Sequence, residues 1–414
     1  MRKIILFFFV ILFTYSKAQN KFTKGVVLST KDSLPLAYVN IYSDVYKFGV
    51  ITNELGEYIL NYPDSLLSYK LTYSSMGFLT KELPLYKIKD TIYLKPSEIM
   101  LDEVILHNAN TDISYVLNKV YQNIKRNYSN KRHLLKAFYR QTAIKEKDSS
   151  YLRIVEADVG IQEYGILKTL DRDRIKIYHY RRSDDKITKK WYHKVAYKMF
   201  GKPNNLFWLK KKDFVKNFVK NNKYSRHYKS ILRNYNFEIT GYQTYNNHLI
   251  AIYSFYRKEY ENLNIKEEHK SKLYINLSDY AIIKVIQFTI LGNGENYNVF
   301  SPDEYSYTKI GNFYYLNNVI NRRFQSGRYR DKETLIEHLY VYQVESNRKE
   351  YKKIKRKEKE KIMGDVYEKN MIHDTLFWST YKFLPAVLLK DKMKTLLQKD
   401  KTIKQQFLDN GKKQ

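Results

Sequence analysis

The chain contains no cysteine. That excludes disulfides, thiolate catalysis and cysteine-ligated zinc in one step. It also excludes a lipid anchor built on an N-terminal cysteine. Long apolar runs are nearly absent. Residues 4–13 form one, and no other stretch approaches the roughly eighteen residues of a membrane helix, so the mature protein is expected to carry none. Familiar catalytic signatures are missing as well. None of the nine histidines is followed by glutamate at the third position, and HExxH, G-x-S-x-G, P-loop and G-x-G-x-x-G patterns do not occur.

Acidic residues are few beside basic ones, 43 against 74, for a net charge of +31 over 414 residues. Such a surplus fits a nucleic acid, an anionic membrane surface or an acidic partner. The first twenty residues bear on that choice. Arg2 and Lys3 form a charged start, residues 4–13 an apolar run, and Ser16 and Ala18 supply small residues before a cut. This reads as a secretory signal peptide over residues 1–18, cleaved between Ala18 and Gln19. Export argues against nucleic acid. A compositional origin of the charge stands first, because Lys, Asn, Ile and Tyr are all abundant and the basic residues are spread along the chain.

What is present is strand signal. From Leu36 to Ile41 the residues alternate in a period of two, rich in β-branched and aromatic types. Gly56 supplies a tight turn after Asn53-Glu54-Leu55, and a further strand restarts at Glu57. Seven short strands are expected over residues 22–29, 37–42, 49–52, 58–61, 67–73, 79–85 and 91–94. Thr111-Asp112 caps a helix whose Ile113, Val116, Leu117, Val120, Tyr121 and Ile124 form one apolar stripe. Long strands follow at 134–145, 150–164 and 174–181. Residues 187–235 are less regular, with a short helical pattern at 214–219. Strands then return at 237–243, 249–257, 271–275, 281–291, 305–310, 314–325 and 335–345. The turns Asn246-Asn247, Ser278-Asp279, Gly292-Asn293-Gly294 and Gly311-Asn312 make this an antiparallel meander. Residues 348–363 read as a charged, solvated helix. The aromatic stretch 377–385 is expected to dock on the sheet, and residues 391–408 to form an amphipathic helix with Met393, Leu396, Leu397 and Ile403 inward.

The first block resembles the carboxypeptidase-regulatory-like domain, a transthyretin-like β-sandwich. The matching residues are Pro35-Leu36-Ala37-Tyr38-Val39-Asn40-Ile41, then Gly49, Thr52-Asn53 and Gly56-Glu57-Tyr58-Ile59. They continue with Leu71-Thr72-Tyr73-Ser74-Ser75-Met76-Gly77-Phe78 and end with Ile92, Leu94, Pro96 and Leu101-Asp102-Glu103-Val104-Ile105. Asn53 stands where the family more often has Asp. The resemblance implies an accessory module, and it imports no peptidase activity because the catalytic domain it sometimes accompanies has no counterpart here. The later strands resemble the β-rich regions found with such domains in exported proteins. More remotely they are similar to the half-barrel of lipoprotein carriers, an open curved sheet with an apolar concave face. Only about 310 residues follow Val104, and a helix comes next, so a large outer-membrane transporter barrel does not fit.

Three carboxylate-bearing pairs remain as candidates for acid–base chemistry. Glu156 and Asp158 share one parity of a strand. Asp303-Glu304 follows Pro302 in a loop. Glu337-His338 sits in a late strand. A solvated or Lys-paired role outweighs catalysis for each. Tyr38, Tyr42 and Tyr58, among 41 tyrosines, are expected in the core or at its rim rather than as a sugar platform.

The expected architecture is therefore mainly β with accessory helices. Its parts are a signal peptide (1–18), a sandwich (19–96), a linker (97–112), a large antiparallel meander that could form a half-barrel (113–385) and a C-terminal amphipathic helix (386–414). The expected protein is exported and non-catalytic, periplasmic or outer-membrane-associated, not a lipoprotein, and without cofactor, metal or catalytic residues. Its partner would be an anionic envelope component or outer-membrane protein, with peripheral membrane contact left open. The alternatives are a carrier of a lipid or acyl chain in an open cleft, and a carbohydrate-binding protein or hydrolase with an unrecognised site. Whether the inner face of the meander is filled or open separates the first two.

Overall fold

The computed structural model describes residues 20–43, 48–53, 55–63, 68–97, 111–145, 147–148, 150–168, 172–187, 206, 209–210, 213–224, 228–261, 263, 265–293, 296–325, 333–349, 351–361, 366–369, 371–381 and 397–412. The proposed signal peptide and the Leu101-Asp102-Glu103-Val104 motif lie outside the described residues.

Seven strands build the N-terminal sandwich: β1 (Asn20–Ser29), β2 (Asn40–Ser43), β3 (Phe48–Ile51), β4 (Glu57–Pro63), β5 (Lys70–Ser74), β6 (Lys81–Pro84) and β7 (Thr91–Leu94). One sheet has the order β4-β1-β7, with β1 antiparallel to β4 and parallel to β7. The other runs β6-β5-β2-β3. Between them Val27, Ile41, Leu60, Leu71, Tyr73 and Leu94 form a closed core. Tyr58 and Tyr73 are buried with their hydroxyls 3.1 Å apart, so neither polar tip is orphaned.

The expected strand at 37–42 is shorter than the alternation suggested. Tyr38 has φ +59°, a left-handed backbone that breaks the pleat, and β2 starts at Asn40. Thr52 holds that break. Its Oγ1 accepts the Val39 N–H at 2.9 Å and donates to the Leu36 carbonyl at 2.6 Å. At the following turn Asn53 Oδ1 accepts the N–H groups of Leu55 and Glu57, and Gly56 adopts φ +71°. An aspartate would accept the same two bonds, so asparagine in its place leaves the turn intact.

Helix α1 (Ile113–Asn127) is capped by Asp112, whose carboxylate accepts the Tyr115 N–H. The strands after it are β8 (His133–Lys145), β9 (Ser150–Glu163), β10 (Arg174–Arg182), β11 (Tyr235–Tyr245), β12 (His248–Arg257), β13 (Ser271–Asn276), β14 (Ala281–Asn293), β15 (Asn296–Ile310), β16 (Phe313–Gln325) and β17 (Glu333–Glu345). Helices α2 (Phe214–Tyr224) and α3 (Tyr228–Asn234) lie between β10 and β11. The ten strands form one antiparallel sheet in the order β11-β12-β13-β14-β15-β16-β17-β8-β9-β10. Its edges β10 and β11 are not paired with each other, so the sheet is open. A single β3–β17 pair, Phe48 with Gln343, joins it to the sandwich. Polar contacts add to that joint: Asn40 Nδ2 to the Tyr245 hydroxyl at 3.1 Å, and the Gly77 N–H to the Thr244 carbonyl at 3.1 Å.

Three further expectations need correction. Residues 351–361 are not a helix. They run extended beside β10 with one 3₁₀ turn at Arg356–Glu358, because Glu360 donates its N–H to the Ile175 carbonyl and Ile354 is drawn into the core. Asp303 and Glu304 lie inside β15. The ladder slips opposite Pro302, and that irregularity lets a proline sit within a strand. The C-terminal helix, α5, spans Ile403–Lys412; residues 397–402 precede it as turn and bend, with Leu397 buried, while 391–396 lie outside the described residues.

Candidate functional site

The sheet has two faces, covered by different parts of the chain. Call inner the face that carries α1. Along β8 and β9 it presents Leu135, Ala137, Tyr139, Val155, Ala157 and Val159; along β12 to β15 it presents Tyr253, Phe255, Leu273, Ile275, Val285 and Tyr305. All are buried. Helix α1 covers part of them through Val116, Leu117, Val120 and Ile124. Its end is pinned by the Tyr128 hydroxyl, which donates to the Ile282 carbonyl at 2.7 Å, and by Asn127, which donates to Asp279. Among the described residues, Leu206, Leu209, Val215, Phe218 and Val219 add to this cover. That segment comes from the stretch read as least regular in the sequence.

Charge fixes this second cover. Glu163 ends β9; Lys210, Asp213 and Lys216 belong to the cover; Asp173 precedes β10; His133 starts β8. All six side chains are buried. Lys210 Nζ lies 2.5 Å from both Glu163 and Asp213, and Lys216 reaches Asp173 and Glu163. His133 Nε2 is 3.1 Å from Glu163, and the Tyr307 hydroxyl donates to Asp213 at 2.8 Å. Burial pushes the Glu163 carboxyl up, but Lys210, Lys216 and His133 outweigh it and hold the group well below the ordinary carboxylate range. Asp173 goes the other way: burial raises it, and Lys216 only partly offsets that. Burial opposes the Lys210 charge, yet Asp213 and Glu163 prevail and raise its pKa. A cavity of about 20 Å³ sits beside this cluster, lined by His133, Glu163, Lys216 and Tyr315 among others. That is room for about one water. Every carboxylate has a lysine partner, and among the described residues no group of three or more potential ligands is placed to hold a metal.

The candidates read from sequence lie elsewhere. Glu156 and Asp158 share the outer face of β9. Glu156 is bound by two guanidinium groups, Arg140 Nη2 at 2.7 Å and Arg181 Nη2 at 2.5 Å. Asp158 accepts the Tyr342 hydroxyl at 2.7 Å and that of Tyr381 at 3.3 Å. Burial pushes both carboxyls up, but the two arginines reverse this for Glu156, so their ionisations are split. The split is structural in origin, because the aromatic tail sits on them. Helix α4 (Thr375–Thr380) brings Trp378 against Phe138, and Arg181 stacks over the Trp378 ring at 4.1 Å. The described part of the tail, residues 377–381, docks on the outer face of the sheet, and residues 382–385 lie outside the described residues. Leu397 and Phe407 of the C-terminal region extend that outer cover with Tyr151 and Ile154.

Asp303 accepts from Asn321, and Glu304 pairs with Arg322 at 3.1 Å and Lys284 at 3.4 Å across neighbouring strands. Glu337 and His338 face opposite sides of β17: Glu337 accepts the Tyr139 hydroxyl at 2.7 Å, while His338 lies against Tyr340. The register sets Glu304, His338 and Glu156 in one cross-strand row of the outer face, with Ile320 between the first two and Arg140 between the last two. The Lys210–Glu163–Lys216 cluster was missed. Its trace in the sequence is the spacing of Leu206, Leu209, Asp213 and Lys216, a helical period hidden among many Lys and Asn.

With this geometry in place, comparison with known proteins gives one firm assignment. Residues 23–106 match the CarboxypepD_reg-like domain family. No curated protein matches the chain. Among solved structures, a LolA superfamily protein from Nitrosomonas europaea is 9% identical, covers 57% of this chain and 93% of its own, and has a TM-score of 0.23. A domain from Vibrio parahaemolyticus described as outer membrane lipoprotein-sorting is 9% identical over 57% and 94%, with a TM-score of 0.24. The MucA/MucB complex of Pseudomonas aeruginosa gives 6% identity over 57% and 99%, with a TM-score of 0.16. Scores of this size transfer neither fold nor function.

Proposed function

We propose that this is an exported, non-catalytic binding or scaffold protein of the cell envelope, working through its outer surface. One observation carries the reading. Among the described residues, most of the apolar inner face of the ten-stranded sheet is buried under α1 and under Leu206, Leu209, Val215, Phe218 and Val219, and the cavity left at its β11–β14 end, lined by Phe255, Tyr260 and Phe288 among others, holds about 230 Å³. A lipid or acyl carrier needs an open apolar cleft of several hundred cubic ångströms. The regulatory-type domain at 23–106 supports the reading without adding a reaction. The net charge of +31 suits an anionic partner.

The test is capture from envelope extracts on the immobilised mature protein at low and high salt. A specific component should bind at low salt and be released at high salt, since screening shortens from about 10 Å at 0.1 M to about 3 Å at 1 M. A tightly bound acyl chain in the purified protein, with no salt-sensitive partner, would replace this reading with the carrier.

A further inference from the structure

Residues 348–361 carry nine basic and three acidic side chains. The structure sorts them by direction. Tyr351 and Ile354 turn inward and pack with Leu134. The Ile354 N–H donates to Gln162 Oε1 at 2.9 Å, and its carbonyl accepts from Arg174 at 2.6 Å. Of the acids, Glu358 pairs with Lys176 at 2.9 Å and Glu360 pairs with Lys369, while Glu350 lies outside the described residues. What faces solvent is Lys352, Lys353, Lys355, Arg356, Lys357 and Lys359, all exposed. Among the described residues none of these six side chains is in an ion pair. Lys131 and Lys168 are exposed on two turns joined by the Ile166 N–H to Ser129 carbonyl bond. Arg132 donates to the Tyr351 hydroxyl at 3.2 Å and links those turns to the strap.

We propose that this strap is a docking site for anionic phospholipid headgroups, holding the protein on a membrane surface without insertion. The proposal rests on the reading that the outer surface makes the protein's contacts, and it names where and with what. Three features select the occupant. The cations are held on a pinned, extended backbone, so little ordering is needed on binding. The two described carboxylates of the strap are paired with lysines outside it, which leaves the exposed cations in excess. No apolar or aromatic side chain of the strap points outward. A protein partner is usually anchored by buried aromatic or arginine hot spots in apolar pockets, and a wedged amphipathic helix needs an apolar face. A charged surface that recruits by charge alone needs neither.

Co-sedimentation of the full mature chain with vesicles tests this. Phosphatidylcholine vesicles containing phosphatidylglycerol should bind it at low salt and release it at high salt, and pure phosphatidylcholine should not bind. Each juxtamembrane cation is worth about 5-fold, so Lys352→Gln/Lys353→Gln/Lys357→Gln should bind roughly 100-fold more weakly. The control Lys31→Gln/Lys89→Gln/Lys125→Gln removes the same charge from exposed sites elsewhere and should bind within about 2-fold of the parent. Equal losses in both triples would overturn the proposal, because the attraction would then be diffuse. So would capture by a soluble acidic polysaccharide with no vesicle binding. If vesicle binding fails while a salt-sensitive partner is still captured, only the membrane assignment falls and the scaffold reading stands.

Discussion

At the scale of single residues, the buried ion cluster is where a substitution should cost most. Lys216 is wholly enclosed between Asp173 and Glu163. Lys216→Met leaves two buried carboxylates short of a partner, and removing one member of such a group typically costs about 3–5 kcal/mol. Urea denaturation of the variant against the parent measures it. The two carboxylates themselves should differ. Glu163 has a depressed folded pKa, so its stabilisation is complete above its unfolded value near 4.3 and fades as pH falls below it. Asp173 has a raised one, so its charge works against the fold at neutral pH, and this penalty fades on acidification. Glu163→Gln is therefore expected to destabilise more than Asp173→Asn at pH 7, with the gap narrowing toward pH 3. Stability curves at several pH values would contradict this if Asp173→Asn proved the worse at neutral pH.

At the scale of elements, the period-two strands were legible because side-chain alternation and turn chemistry agree. Asn246 and Asn247 both take positive φ, as a tight hairpin requires. Helix α1 was legible from its stripe and its cap, and Asp112→Ala should lower stability by about 1 kcal/mol, read as a shift in the denaturation midpoint. The failures have physical causes. The strap at 351–361 has helix-forming Lys and Glu, but burial of Ile354 and the edge of β10 outcompete local propensity. Tyr38 breaks an alternating run because Thr52 holds the chain there. The inner cover hid because its helical period is short and lysine-rich, and two of those lysines are buried only because carboxylates from β9 and the turn before β10 come to meet them. Phe218 anchors that cover in the main core. Phe218→Ala is expected to cost about 3–5 kcal/mol, and it should increase binding of a fluorescent apolar dye if the cover loosens. Unchanged stability would show that the cover is not packed as described.

At the scale of the whole molecule, each face of one sheet is covered in part by the chain's own elements, as far as the described residues show. Helix α1 and α2 lie inside, while α4 and the C-terminal region lie outside. Sequence could place strands and covers but not assign covers to faces, since Glu156 and Trp378 are far apart in the chain and meet only in the fold, through Arg181. The covered inner face is the centre of the account, and native mass spectrometry of the purified protein tests it most directly. The expected mass is that of the polypeptide alone, with no lipid in an organic extract. One acyl chain or lipid per molecule, retained through purification, would contradict a covered inner face.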